Sequence, residues 1–224
     1  MSTYAPPLPC RMASIAASNQ GKTHCLIHDF LLGVYKNKFK MIWCFGPTLK
    51  VDDNYKPLIS YIEKHLKPQE EYLFEEFGNG EELERILHDQ MTVVQYMKEQ
   101  GRKPPHVAII IEDVADDPSI ARNSRVLNSL FTRGRHAFIS VFMQSQAVRA
   151  ISPLIRKNLS VLILGRINNV KDLESAAEEF SLIAGSKDEF IYKYWRAIND
   201  RPYSYLLIDL VSRELRLRLD GPVL

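Results

Sequence analysis

No run of 18 or more apolar residues occurs in the 224-residue chain, too little for a membrane-spanning helix. Met1–Pro9 is polar and proline-rich. It lacks the apolar stretch of a secretory leader, which points to a protein retained in the cell that makes it. The three cysteines, Cys10, Cys25 and Cys44, are odd in number and form no C-x-x-C pair. That argues against a disulfide framework and for a reducing compartment. One local absence is informative. From Pro118 to Lys171 there are nine lysines and arginines and no Asp or Glu, whereas Glu70 to Glu84 holds seven glutamates and no basic residue. A net charge of only +2 conceals this segregation, which implies an electropositive surface suited to phosphate-bearing partners.

What is present is a core-forming chain. Hydrophobic residues make up 46%, enough for one globular domain. We assign residues 11–224 to that domain and residues 1–10 to an N-terminal extension. Short apolar runs alternate with longer helical patterns. Strands are predicted at Arg11–Ala17, Met41–Phe45, Tyr72–Phe77, Val107–Ile111, Ala137–Met143 and Val161–Leu164. Helices are predicted at Gly21–Tyr35, Pro57–Leu66, Glu81–Gln100, Ser119–Arg135, Pro153–Asn158, Asp172–Phe180 and Asp188–Ile198. Tyr203–Asp209 and Glu214–Leu219 read as a terminal β-hairpin. This alternation specifies an α/β fold with a mainly parallel sheet flanked by helices. In such a sheet the ligand site lies beyond the carboxyl ends of the strands.

Those ends carry chemistry. After the first strand comes Ala16-Ala17-Ser18-Asn19-Gln20-Gly21-Lys22-Thr23, a P-loop (G-x-x-x-x-G-K-[ST]) with Ala16 at the first glycine position. The N–H groups of Ser18 to Thr23 are expected to cradle the phosphates of ATP at a helix N-terminus. Lys22 would reach the β- and γ-phosphates, and the Thr23 hydroxyl would ligate Mg²⁺. After Val107–Ile111 stand Glu112 and Asp113. By register Glu112 takes the metal role and Asp113 polarises the attacking water, although Asp is the usual first residue and the roles could be exchanged. After Ala137–Met143 stands Gln144, whose amide suits a γ-phosphate sensor. Arg133, Arg135, Arg149 and Arg156, with no local carboxylate, are candidates for an arginine finger or for DNA phosphate contacts. His24 and His28 have an i, i+4 metal-binding spacing but lack further ligands. Tyr192, Tyr194 and Trp195 read as core or interface residues.

These residues together resemble the FtsK–HerA superfamily, and within it the poxvirus-type genome-packaging ATPases. The most telling segments are Leu130-Phe131-Thr132-Arg133-Gly134-Arg135-His136, leading into the strand that closes on Gln144, and Ile151-Ser152-Pro153-Leu154-Ile155-Arg156-Lys157-Asn158. The resemblance runs from about Arg11 to Phe180. It implies a RecA-like P-loop NTPase core, ATP and Mg²⁺ as cofactors, and a homo-oligomeric ring around double-stranded DNA. It also implies a trans-acting finger at Arg133 or Arg135, with Arg156 open, and capsid vertex proteins as partners. The implied activity is ATP-driven packaging of a viral genome into a preformed capsid, in the virion or at the assembly site and without a membrane anchor. Two alternatives stay open: a P-loop small-molecule kinase, and a non-catalytic DNA- or capsid-binding subunit whose P-loop has decayed, for which Ala16 and Glu112 speak.

Overall fold

The computed structural model describes residues 4–78, 80–112 and 125–224. Eight strands form one sheet in the order β3-β2-β4-β5-β1-β6-β7-β8. They are β1 (Arg11–Ile15), β2 (Ile42–Phe45), β3 (Leu73–Phe74), β4 (Val107–Ile111), β5 (Ile139–Ser145), β6 (Val161–Leu164), β7 (Leu206–Asp209) and β8 (Glu214–Leu217). The six strands from β3 to β6 run parallel. The terminal hairpin does pair with itself, but β7 also pairs antiparallel with β6 and so widens the main sheet.

Strands β2, β4 and β6 are apolar without interruption because both of their faces are covered. Period-two alternation divides them between two cores. Val107, Ile109 and Ile111 of β4 join one cluster, with Leu83, Leu130 and Phe131. Ala108 and Ile110 join the other, with Phe30, Tyr35 and Phe142. On the first face lie α3 (Glu81–Glu99), α4 (Arg125–Arg133), α5 (Pro153–Asn158), α6 (Val170–Phe180) and α7 (Lys187–Ile198). On the second lie α1 (Lys22–His24) and α2 (Lys56–Tyr61) with their continuations. Helix α3 buries Leu83, Ile86, Leu87, Gln90 and Val94, one stripe at helical spacing, and places Glu81, Glu82 and Glu84 in its first turn, where the helix dipole favours acids.

Several elements differ from the expected form. The strand expected at Tyr72–Phe77 is only Leu73–Phe74, and the one expected at Ala137–Met143 runs from Ile139 to Ser145 and so contains Gln144. The helix expected at Pro57–Leu66 is α-helical to Tyr61 and π-wound over Ile62–Leu66, and residues 119–124 of the helix expected at Ser119–Arg135 lie outside the described residues. The helix after the first strand is not a uniform α-helix: a single α-turn, Lys22–His24, passes into a π-wound Cys25–Val34 whose winding is interrupted at Gly33 (φ −93°, ψ −108°). Apolar periodicity marks the buried stripe but is blind to a one-residue shift in hydrogen-bond pairing. The segment before β1 packs against the body. Tyr4 N–H donates to Leu219 O at 2.9 Å and its hydroxyl to Asp209, and the Tyr35 hydroxyl donates to Pro6 O at 2.8 Å. Among the described residues no helix is long and apolar enough to cross a membrane.

Candidate nucleotide site

The carboxyl ends of β1, β2, β4, β5 and β6 meet at one edge of the sheet, and the Ala16–Thr23 loop crosses it. Its start is tied to both neighbouring strands: Ala16 N–H donates to Ser145 O (3.3 Å) and Ala17 N–H to Arg166 O (2.9 Å). Asn19 and Gly21 take left-handed conformations (φ 58° and 80°), while Ala16 does not. The first P-loop position therefore places no demand for glycine in this chain. The close approach is met from the other side: a Cβ on Gly165, just past β6, would lie 2.8 Å from the Cβ of Ala16. Alanine at position 16 and glycine at position 165 are complementary. We expect Gly165→Ala to push Ala16 and the loop behind it out of place and to weaken ATP binding at least tenfold, read by nucleotide titration, at a stability cost of about 1–3 kcal/mol.

The Lys22 ammonium is held by the loop's own carbonyls, Ala16 O at 2.8 Å and Ala17 O at 3.1 Å. The Thr23 hydroxyl donates to Gln144 Oε1 at 3.3 Å. Gln144 is 1% exposed and its Nε2 has no partner. Glu112 is 5% exposed and its Oε2 likewise has no partner. Burial raises the Glu112 carboxyl above the usual carboxylate range, opposed by the neighbouring Thr48 and Tyr55 hydroxyls and reinforced by the charge of Asp52. Gly46, at the exit of β2, makes room for this side chain, since a Cβ there would come within 2.5 Å of Glu112 Cβ. Buried polar groups are normally satisfied; among the described residues Arg11 Nε, Trp43 Nε1, the Tyr55 hydroxyl and His106 Nδ1 also lack a partner, but the Glu112 and Gln144 atoms are the pair that shares a cleft. Both Glu112 and Gln144 line a cleft of about 670 Å³ together with Lys22, Thr23, Thr48 and Asp52.

The structure thus brings Ser18, Asn19, Gly21, Lys22, Thr23, Glu112 and Gln144 to one cleft. Gln20 lines an adjoining cleft of about 550 Å³ with Asn19, Arg166, Asn199 and Tyr203. Asp113 lies outside the described residues. The Thr23 hydroxyl and the unpartnered Glu112 oxygen are hard oxygen donors of the kind a Mg²⁺ ion takes, so the residues present fit that ion.

The arginines separate. Arg149 pairs with Asp172 at 3.2 Å, and Arg156 pairs with Glu179 at 2.6 Å while also donating to Ile151 O at 2.5 Å. Their carboxylates come from α6, outside the acid-free stretch, so the absence of a local acid did not leave these two unpaired. Arg133 and Arg135 are exposed; among the described residues Arg133 reaches the Ser129 hydroxyl, at 2.6 and 2.9 Å, and Arg135 the His136 ring at 3.3 Å. Both precede β5, at the edge opposite the cleft. From Ile139 to Ser145 the strand spans roughly 20 Å. The His24 and His28 rings pack on each other, centroids 4.4 Å apart. Tyr194 is buried, whereas Tyr192 and Trp195 are exposed.

Sequence reasoning missed Thr48, Asp52, Arg166 and Tyr203. Thr48 and Arg166 carried a signal, since each closely follows a strand of a parallel sheet at the edge where ligands bind. Tyr203 carried none. It approaches the P-loop across the sheet, and a Cβ on Gly21 would meet its ring at 3.2 Å.

The family model described as Poxvirus A32 protein matches residues 7–208. No curated protein sequence matches the chain. Among solved structures, the chain resembles B204, the DNA-packaging ATPase from Sulfolobus turreted icosahedral virus, with a TM-score of 0.65 and 15% identity over 93% of this chain and 96% of that one. It resembles the genome packaging NTPase B204 from Sulfolobus turreted icosahedral virus 2, in complex with AMP, with a TM-score of 0.64 and 15% identity over the same shares. EssC (ATPases 2 and 3) from Geobacillus thermodenitrificans gives a TM-score of 0.53 and 14% identity over 96% of this chain and 38% of that one. At these identities the likeness is one of fold.

Proposed function

This chain belongs to the Poxvirus A32 protein family, and from that premise we propose that it is an ATPase that drives double-stranded DNA, packaging a viral genome into a preformed capsid. The observation that carries the ATPase reading is the cleft itself. A P-loop lysine and threonine face a buried carboxylate and a buried amide, each with an unpartnered atom. Two buried polar atoms without a protein partner are costly to maintain, and a nucleotide with its metal would satisfy them.

In this reading the N–H groups of Ser18 to Thr23 bind the phosphates and Lys22 moves from its loop carbonyls to the γ-phosphate. Thr23 and Glu112 would hold Mg²⁺, which would supply charge neutralisation for phosphoryl transfer. Gln144, linked to Thr23 through its oxygen, would present its free Nε2 to the γ-phosphate or to the attacking water. Asp113 would polarise that water, and Asp52 is the second carboxylate lining the cleft. The base and ribose would occupy the adjoining cleft beside Arg166 and Tyr203. Arg133 and Arg135, too far from their own cleft to act in cis, would serve a neighbouring subunit of a homo-oligomeric ring. Arg156 would first have to leave Glu179. Capsid vertex proteins at the assembly site complete the proposed partners.

The reading is tested by ATP turnover of the purified protein with and without long duplex DNA. Stimulation of several-fold or more by DNA is expected. Turnover indifferent to DNA but dependent on a small phosphate acceptor would point to a kinase, and failure to bind ATP to a non-catalytic subunit.

A further inference from the structure

We propose that the edge of the sheet opposite the nucleotide cleft, where β2, β4, β5, β1 and β6 begin, is the surface that grips the phosphate backbone of duplex DNA; this rests on the DNA-partner reading above and assigns it a place.

The starts of these five strands lie side by side. Lys40 N–H donates to His106 O (2.8 Å), Val107 N–H to Phe138 O (3.1 Å), Val141 N–H to Cys10 O (2.8 Å) and Ser160 N–H to Arg11 O (2.8 Å). At about 4.8 Å per strand, the row is roughly 19 Å wide. The segments that lead into the strands, residues 5–11, 36–41, 100–106, 132–138 and 156–160, contain no Asp or Glu. They bring together Lys36, Lys38, Lys40, Arg102 and Lys103, all exposed, beside Arg135, which is kept for the neighbouring subunit. Among the described residues none of these five is joined to a carboxylate. All five lie outside the acid-free stretch from Pro118 to Lys171, so the fold adds a second set of cations to the first. Positive charge accumulates enough to be felt within the row: the Arg11 guanidinium is lowered by burial and by the charge of Arg135.

The opposite edge is of mixed charge, with Lys22 in the nucleotide cleft and Arg166 and Arg201 in the adjoining one. Asp52 and Glu112 line the cleft, and Glu81, Glu82 and Glu84 occupy the first turn of α3, which begins at that edge. A polyanion is therefore attracted to the row of cations where the strands begin, which would hold DNA away from the nucleotide while leaving both on the same rigid strands. A protein partner fits less well. Protein interfaces have an apolar centre, and among the described residues none of the large exposed hydrophobic side chains falls in these five segments. Protein–DNA interfaces are polar and positively charged. The row offers backbone contacts rather than a base-reading element, so binding should be independent of sequence.

The test is fluorescence anisotropy with a labelled 40-base-pair duplex of random sequence, measured from low to moderate salt. It compares the wild type with a variant carrying Lys38→Ser, Lys40→Ser, Arg102→Ser and Lys103→Ser. A charge-matched control carries Lys56→Ser, Lys64→Ser, Lys171→Ser and Lys187→Ser. None of the eight positions belongs to the nucleotide machinery, so ATP turnover without DNA reports that each variant folds. The first variant is expected to lose at least about tenfold in affinity, and its slope of log K against log salt to become shallower by about 3.6, at 0.9 per phosphate contact. The control should keep most of both. Equal losses in the two variants would reduce the effect to net charge and overturn the proposal, as would wild-type affinity in the first variant. No binding by the wild type would remove the DNA-partner reading itself. A first variant that binds DNA normally but changes its sedimentation would assign the edge to a second copy of the chain.

Discussion

Lys22→Ala is expected to lower ATP turnover at least about 1000-fold, with or without DNA, an effect of about 4 kcal/mol on the barrier. Lys22 is pre-positioned rather than free: its ammonium rests on Ala16 O and Ala17 O, inside the loop whose N–H groups would receive the phosphates. Transfer of the γ-phosphoryl spreads negative charge over its equatorial oxygens, and catalysis is mostly positioning and electrostatic stabilisation. No other lysine lines the cleft among the described residues. The loss should fall on kcat as well as on ATP affinity, because the interaction strengthens as charge develops. The fold should survive the change, since Lys22 is not among the core residues. Full turnover in a correctly folded Lys22→Ala protein would remove the P-loop from the chemistry.

The second large effect is expected at Glu112. Glu112→Gln should reduce turnover at least about 100-fold while leaving ATP binding measurable, since the phosphate cradle is untouched. Its stability should move the other way. Burial raises the Glu112 carboxyl, so the folded, empty protein holds that proton more tightly than the unfolded chain does. Stability is then lost as pH rises from the ordinary glutamate range through the raised value. The amide neither titrates nor carries a buried charge. Thermal unfolding of the empty proteins should therefore give the variant a higher Tm at pH 8, with the difference shrinking towards acid pH. An inactive variant whose Tm falls at pH 8 would contradict the view that the carboxylate is kept at a cost to stability for a ligand. The unpartnered Oε2 is the structural sign of that cost.

What the sequence determined by itself was local. Val107–Ile111 is readable as a strand buried on both faces because every residue is apolar, and Glu112 is readable because it follows at once. The P-loop is readable because a strand, a short loop and a helix start occupy adjacent residues. Gln144 follows from the same rule at the end of β5. The α/β class and the parallel sheet come from the alternation of these units, each of which carries its own periodicity.

What only the tertiary structure decided was pairing between distant residues. Ala16 reads as a defect in the motif until Gly165, 149 residues later, is seen to make room for it. Arg149 and Arg156 read as unpaired until α6 brings Asp172 and Glu179 to them. Thr48 and Asp52 join the cleft because β2 lies beside β4, and Tyr203 because the chain returns past β6 before adding its antiparallel strands. The lysines at 36–40 and the cations at 102 and 103 become one row with Arg135 for the same reason. Strand periodicity records which face a side chain takes but not which strand lies next to it. That order is set by the packing of helices across the whole sheet, so the residues that build each edge are spread along the chain with no period to announce them.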